Sequence, residues 1–319
     1  MPETDDWLTL LHSRLERLTR SYRADFSVFA RFVEEQREIA INADREMDMM
    51  SLIKVPILVT LMRAVDADEL SLSDPITLQA GDKRQGSGVL LHFDEGAQFT
   101  LGDAARLMIV VSDNTATDLV LRALGGIDPV NQSMADLGLS ELQAVGDTLA
   151  WFRALGTRLD PDSADLPPGE LFEKGWPKIH RLELEAAMRD YHSNGGAPFS
   201  LGTARALGNL FGQILGNECA SAAACARMIS ILEGQQLQYR LPKLGFGLTS
   251  AHKTGDFPPF ISNDGGIFTT ASGANVILVV LTRNFAGERA IIDDAVGKIG
   301  EMVFAAADAR ADYGAGRET

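Results

Sequence analysis

The chain has 319 residues, 45% hydrophobic and 23% charged, values near the soluble globular average and far from those of disordered or fibrous proteins. Its formal net charge of -15 at pH 7 opposes phosphate backbones and anionic membrane surfaces, so neither nucleic acid nor membrane is an expected partner. The length suits one large domain or two lobes.

The opening segment, MPETDDWLTLLHSRLERLTR, sets Trp7, Leu8, Leu11, Leu15 and Leu18 on one stripe and predicts an amphipathic helix. It has neither the basic n-region nor the apolar h-region of a secretory leader, and no run of about 18 apolar residues follows, so a cytoplasmic location is expected. Alternation in DFSVFARFVEE (25–35) and, less cleanly, in REIAINADREM (37–47) predicts two strands joined by a tight turn. Ser51 then opens the apolar run LIKVPILVTLMRAV, whose length favours helix, with Pro56 near its start where a missing N–H costs least.

A further helix is expected around LGDAARLMIVVSDNTATDLVLRAL. From about 145 to 198 the periodicity fails and prolines 161, 167, 168 and 177 cluster, which predicts a loop or an insertion. LGTARALGNLFGQIL and ASAAACARMISILEGQ each carry an apolar stripe and read as helices. FGLTSAHKTGDF, NDGGIFTTASG and ANVILVVLTRNF read as strands with Gly and Asn turns, and AIIDDAVGKIGEMVFAAADA as a final helix. Strands at both ends with helices between imply an α+β chain in which a helical lobe interrupts a sheet made from both ends. Residues 1–50 and 218–319 are assigned to the sheet-bearing lobe, and 51–217 to the helical lobe with its Pro-rich insertion.

Cys219 and Cys225 stand six apart in NECASAAACARM. Read as helix, that spacing puts them on different faces, so two small buried hydrophobes are expected rather than a disulfide, and zinc or redox spacing is absent. The His residues show no metal-ligand spacing, so no metal and no cofactor are implied.

Three short motifs carry chemistry. In MSLIKVPI, a helix beginning at Ser51 would bring Lys54 back beside the Ser hydroxyl, and a Lys at an apolar helix start gives up its proton more readily and can take one from Ser. The bland alternative is a cap followed by a snorkelling Lys. Ser-x-x-Lys alone is weak, since Ser250-Ala-His-Lys253 repeats it. Ser112-Asp113-Asn114 interrupts an apolar run, which is costly unless the polar groups are paired or face a cleft; Ser112 could relay a proton and Asn114 hold a substrate amide, or the three could cap the next helix. Lys253-Thr254-Gly255 puts a cation and a hydroxyl beside a residue that permits close backbone approach.

Together and in this order, the three motifs resemble the signature set of class A β-lactamases and penicillin-binding proteins, and the likeness runs over roughly residues 20 to 305. The resemblance implies an antiparallel sheet flanked by helices, with the site in a cleft between the lobes. It implies that Ser51 is the acylated nucleophile, Lys54 its base partner, Ser112 the proton relay and Asn114 a substrate-positioning group. Lys253 and Thr254 would bind a substrate carboxylate, and the backbone N–H groups of Ser51 and of Asp256, just after Gly255, would form the oxyanion hole. The expected partner is a small molecule with a carbonyl acyl centre; the oligomeric state is left open.

The chain departs from that pattern in its deacylation machinery, because no Glu-x-x-Leu-Asn motif occurs anywhere in it. Glu183 and Glu185 in RLELEAAMRDY are the candidates for a displaced water activator, and they also read as solvated helix charges. Asp256 puts a carboxylate beside the expected oxyanion hole, where it would oppose an anionic substrate. Strand alternation points His252 away from Lys253, so a non-catalytic role is expected for it. The expected function is a serine hydrolase cleaving a β-lactam or related amide or ester. The alternatives are an esterase or amidase using the same site, a binding protein that has lost turnover, and an exported peptidase of the cell wall.

Overall fold

Strands from the two ends of the chain form one antiparallel sheet. They are β1 (Asp25–Phe32), β2 (Arg37–Ile41), β3 (Thr249–Phe257), β4 (Ile261–Thr269) and β5 (Asn275–Arg283), and they lie in the order β2-β1-β5-β4-β3. Val28 sits opposite both Val280 and Ile41, and Lys253 opposite Gly265 on the edge strand. The computed structural model describes residues 6–159, 166, 186, 189–191, 196, 198–258 and 260–315. Within them the chain divides into two units, residues 1–52 with 202–319, and residues 53–201.

In the first unit, helices cover both faces of the sheet. α1 (Asp6–Arg20) and the long C-terminal helix Arg289–Ala315 bury Leu11, Leu15, Ile292, Val296, Ile299 and Val303 against Phe26, Val28, Val276, Leu278 and Val280. Helix Ala204–Leu215 lies over β1 and β5, so close that a methyl group on Gly208 would strike the Phe29 ring. A sheet covered on both faces needs apolar residues at consecutive positions, which is why VILVVL in β5 is fully buried rather than alternating. The strand expected over 37–47 ends at Ile41, because Asn42 turns into the left-handed region (φ 49°) and its side-chain Nδ2 donates to the Phe26 carbonyl.

The second unit is built around α2 (Lys54–Asp66), whose residues 54 to 62 are all buried, as befits a helix that is apolar on every side. Around it pack α3 (Leu101–Val110), α4 (Asn114–Leu124) and α5 (Asp128–Asp136), while α6 (Thr148–Leu159) lies on α4. Asp118 of α4 holds the start of α6 by accepting from the Thr148 and Leu149 amides at 2.8 and 3.2 Å, and it also takes Arg84 Nε at 2.6 Å. Numbered after these, the helices returning to the first unit are α7 (Ala204–Leu215), α8 (Ala222–Glu233) and α9 (Arg289–Ala315).

Two helix expectations are corrected. The single helix read across residues 101 to 124 is two, because Ser112 takes a left-handed φ of 56° and Asp113 starts a new helix by accepting from the Ala116 amide at 2.9 Å. The helix read from Ser51 begins at Lys54; Met50–Ile53 form a 3-10 turn ahead of it. Most of the Pro-rich segment, with Glu183 and Glu185, lies outside the described residues. Among the described residues no helix is long and apolar enough to cross a membrane.

Candidate active site

Ser51 sits in the 3-10 turn through which the chain leaves the first unit. Its side chain does not cap α2, whose N-cap, Ile53, provides no side-chain hydrogen bond, so the helix-cap reading of Ser51 fails. The residue before it, Met50, is held at a left-handed φ of 50°, a conformation that an unbranched L-residue adopts only where its surroundings impose it. Here the restraint is Asp48. Its carboxylate accepts from the Met50 amide at 2.9 Å, and its carbonyl accepts from the Asn263 side chain at 3.0 Å. Asn263 is tied down in turn, accepting from the Thr282 amide at 2.7 Å. The two sheet strands β4 and β5 thereby fix the turn that carries Ser51. Sequence reasoning passed over Asp48 and Asn263; Asn263-Asp264-Gly265-Gly266 has the composition of a turn rather than of a buried strand.

Gly255 in β3 lies directly against that turn. A β-carbon there would stand 2.5 Å from the Met49 carbonyl and 3.0 Å from the Ser51 amide nitrogen, so only a residue without a side chain fits. Beside it Lys253 and Thr254 are buried. Lys253 Nζ donates to the Thr254 carbonyl at 2.6 Å, while Thr254 Oγ1, also buried, has no hydrogen-bond partner among the described residues. His252, one residue back along the strand, pairs through Nδ1 with Asp264 at 2.8 Å and packs near the Phe268 ring.

Asp256 does not project its charge freely. Its carboxylate takes Arg240 Nη2 at 3.1 Å and Arg289 Nη2 at 2.5 Å. Burial pushes its carboxyl up, but Arg240, Arg289 and Lys253 outweigh that and hold it below the usual carboxylate range. Arg240 is wholly buried. It also donates to Asp293 and the Asn263 carbonyl, and both arginines lie against the Tyr239 ring. Two guanidiniums thus face two carboxylates, Asp256 and Asp293.

In the second unit, Lys54 is fully buried and its Nζ meets three oxygens: the Ser112 carbonyl at 2.7 Å, Ser112 Oγ at 3.1 Å and Asn114 Oδ1 at 2.9 Å. These three oxygens hold the Lys54 amine beside Ser112 and Asn114. The left-handed φ of Ser112 turns both its carbonyl and its hydroxyl toward the lysine. The Asn114 amide spans the gap between Lys54 and the Gln85 carbonyl, which it reaches through Nδ2 at 2.8 Å.

The two readings of Ser112-Asp113-Asn114 are divided by residue. Asp113 is the cap of α4, and its other oxygen accepts from the Val89 and Leu90 amides at 2.6 and 2.9 Å; Ser112 and Asn114 take the lysine. The 84–90 segment is latched to this corner, with Gly88 at φ 118° because a β-carbon would run into Asp113.

A mixed fold with this sheet, this helical unit and a buried Lys held by a Ser and an Asn defines a recognisable class, and the comparisons agree. The chain belongs to the Beta-lactamase enzyme family, whose model matches residues 10–307. A β-lactamase of Streptomyces fradiae is 24% identical over 283 residues, covering 86% of this chain and 79% of that protein. β-Lactamase VEB-1 of Pseudomonas aeruginosa is 26% identical over 132 residues; the match covers 41% of this chain and 43% of that enzyme, less than half its length. The crystal structure of a β-lactamase from Sphaerobacter thermophilus superposes with a TM-score of 0.73 at 27% identity, covering 95% of this chain and 97% of that one.

Proposed function

We propose that the protein is a serine hydrolase of the β-lactamase type that forms an acyl-enzyme at Ser51, with a β-lactam or a related amide or ester as acyl donor. The observation that carries this reading is the buried Lys54 held by Ser112 and Asn114. In the proposed step the Ser51 hydroxyl attacks the carbonyl carbon while its proton passes to Lys54 in its neutral form. Ser112 Oγ, 3.1 Å from Lys54 Nζ, hands a proton on to the leaving atom as its bond to the carbonyl carbon breaks. The backbone N–H groups of Ser51 and Asp256 are assigned to the oxyanion, and Gly255 is what lets strand and turn approach closely enough for that. Thr254 Oγ1, buried without a hydrogen-bond partner among the described residues, is assigned with Lys253 to a substrate carboxylate.

Acylation needs only these groups, whereas release needs a water activator, and the chain has no Glu-x-x-Leu-Asn motif. The proposed enzyme therefore acylates faster than it deacylates. The test is an intact-mass time course with a chromogenic cephalosporin on the parent chain and on Ser51→Ala. A covalent adduct that forms in the parent, clears slowly and is missing from the variant supports the proposal. Colour that survives the substitution would overturn it.

A further inference from the structure

Cys219 and Cys225 overturn the expectation of separate helix faces. Helix α8 begins at Ala222, so Cys219 lies ahead of it in the turn that follows α7, and the chain folds back so that the two sulfurs meet at 3.8 Å. Three local features produce this. Asn217 takes a left-handed φ of 57° and reverses the chain; Ser221 caps α8 by accepting from the Ala224 amide at 3.1 Å; and the intervening residues, ASAAA, put no bulky side chain between the thiols. Cys225 Sγ also leans on the Ala220 carbonyl at 3.7 Å. Both cysteines are buried, and in this structure both are thiols.

From this geometry we propose that Cys219 and Cys225 are a redox modification site, a dithiol that closes to an intrachain disulfide when a hydroperoxide oxidises it. This stands apart from the acyl-enzyme reading. One thiolate sulfur attacks the peroxide oxygen, breaking the O–O bond and giving a sulfenic acid and water after proton transfer; the second sulfur then displaces water from the sulfenic sulfur. Two thiols and one hydrogen peroxide give one disulfide and two waters. Closing from 3.8 Å to a bond of about 2.05 Å asks for a shift of about 1.8 Å, within reach of rotation about the Cβ bonds and adjustment of the turn that carries Cys219. The bridge would tie the first turn of α8 to the α7–α8 corner. Since α8 packs on β3, it would brace the strand that bears Lys253.

The test treats the intact chain with hydrogen peroxide. The expected product is a monomer lighter by two hydrogens, with no thiol titratable after denaturation, a cross-linked peptide containing both cysteines, and full reversal by dithiothreitol. Its thermal midpoint rises by roughly 2–6 °C over the reduced form. Cys219→Ser and Cys225→Ser cannot make that product and instead gain oxygen or remain unchanged. Oxygen addition at both cysteines of the parent, a disulfide between two chains, or thiols that stay reduced while the urea-unfolded chain is oxidised by the same treatment would each overturn the proposal.

Discussion

Gly255 and Ser51 are in backbone contact: a single methyl group on the glycine would come within 3.0 Å of the serine amide nitrogen. The Lys-Thr-Gly strand and the turn carrying Ser51 are thus one packed unit, and their spacing is set by the absence of a side chain.

Gly255→Ala therefore tests that spacing. The new methyl must displace either β3 or the 49–51 backbone, at a cost of about 1–3 kcal/mol of stability, and acylation is expected to fall by more than about 100-fold because the proposed oxyanion donors would separate. A thermal melt and an adduct-formation rate measure the two effects. A variant with the parent's acylation rate would mean that this contact does not position the oxyanion donors.

The 2.9 Å contact between Lys54 Nζ and Asn114 Oδ1 makes a prediction with a sign. In Asn114→Asp a carboxylate replaces the amide oxygen, favours the ammonium form and keeps the lysine protonated to higher pH. The rising limb of the pH–acylation profile should move to higher pH by at least about one unit, since one unit corresponds to only about 1.4 kcal/mol. Lys54→Met, which removes the proposed base, should slow acylation by about 10²–10⁴-fold at every pH.

Asp256 governs acid stability. Its carboxyl is held below the usual range in the folded chain, so its ionisation stabilises the fold above the unfolded value of about 3.9, and that contribution is lost as pH falls through the folded value. Asp256→Asn leaves the buried Arg240 with Asp293 alone and should cost roughly 2–3 kcal/mol at pH 7, discounted from a full pair because Asp293 remains. The difference between parent and variant should shrink as the pH is lowered below about 4. Denaturant titrations across that range measure it; a constant difference would remove Asp256 from the acid limb.

Asp113 and Ser112 should separate structure from chemistry. Asp113→Ala orphans three backbone amides, those of Ala116, Val89 and Leu90, and is expected to destabilise the chain by about 2–4 kcal/mol. Ser112→Ala leaves the carbonyl that Lys54 also uses, so its stability should change by less than about 1 kcal/mol while acylation drops at least about tenfold. If both variants lost stability equally, Ser112 would be structural as well.

Local pattern carried the elements well. The apolar runs of β1, β5 and α2 and the stripes of α1, α7 and α9 are visible because helix and strand each impose a period on the residues they bury. It misplaced the points where the chain turns: the end of β2 at Asn42, the break at Ser112 and the start of α2. Asn42 and Ser112 stand at positive φ without glycine, and the 3-10 turn ahead of α2 begins at another such residue, Met50; such conformations are imposed by neighbours and leave little local signal. The same limit hid the Cys219 and Cys225 contact, since a helical reading of NECASAAACARM cannot anticipate the turn at Asn217.

The sequence by itself determined which residues are proposed to carry chemistry: Ser51, Lys54, Ser112, Asn114 and Lys253-Thr254-Gly255 stand out because their types and order resemble a known signature set that is legible in a line of letters. Only the tertiary structure decided their partners. That Asn263 holds Asp48 across 215 residues, that Ser112 and Asn114 meet Lys54, and that Arg240 and Arg289 neutralise Asp256 all depend on contacts between segments far apart in the chain. The physical reason is that periodicity is a property of one element, whereas hydrogen bonds and charge balance belong to pairs of groups. Burial forces such pairs to form, and the fold chooses which ones meet.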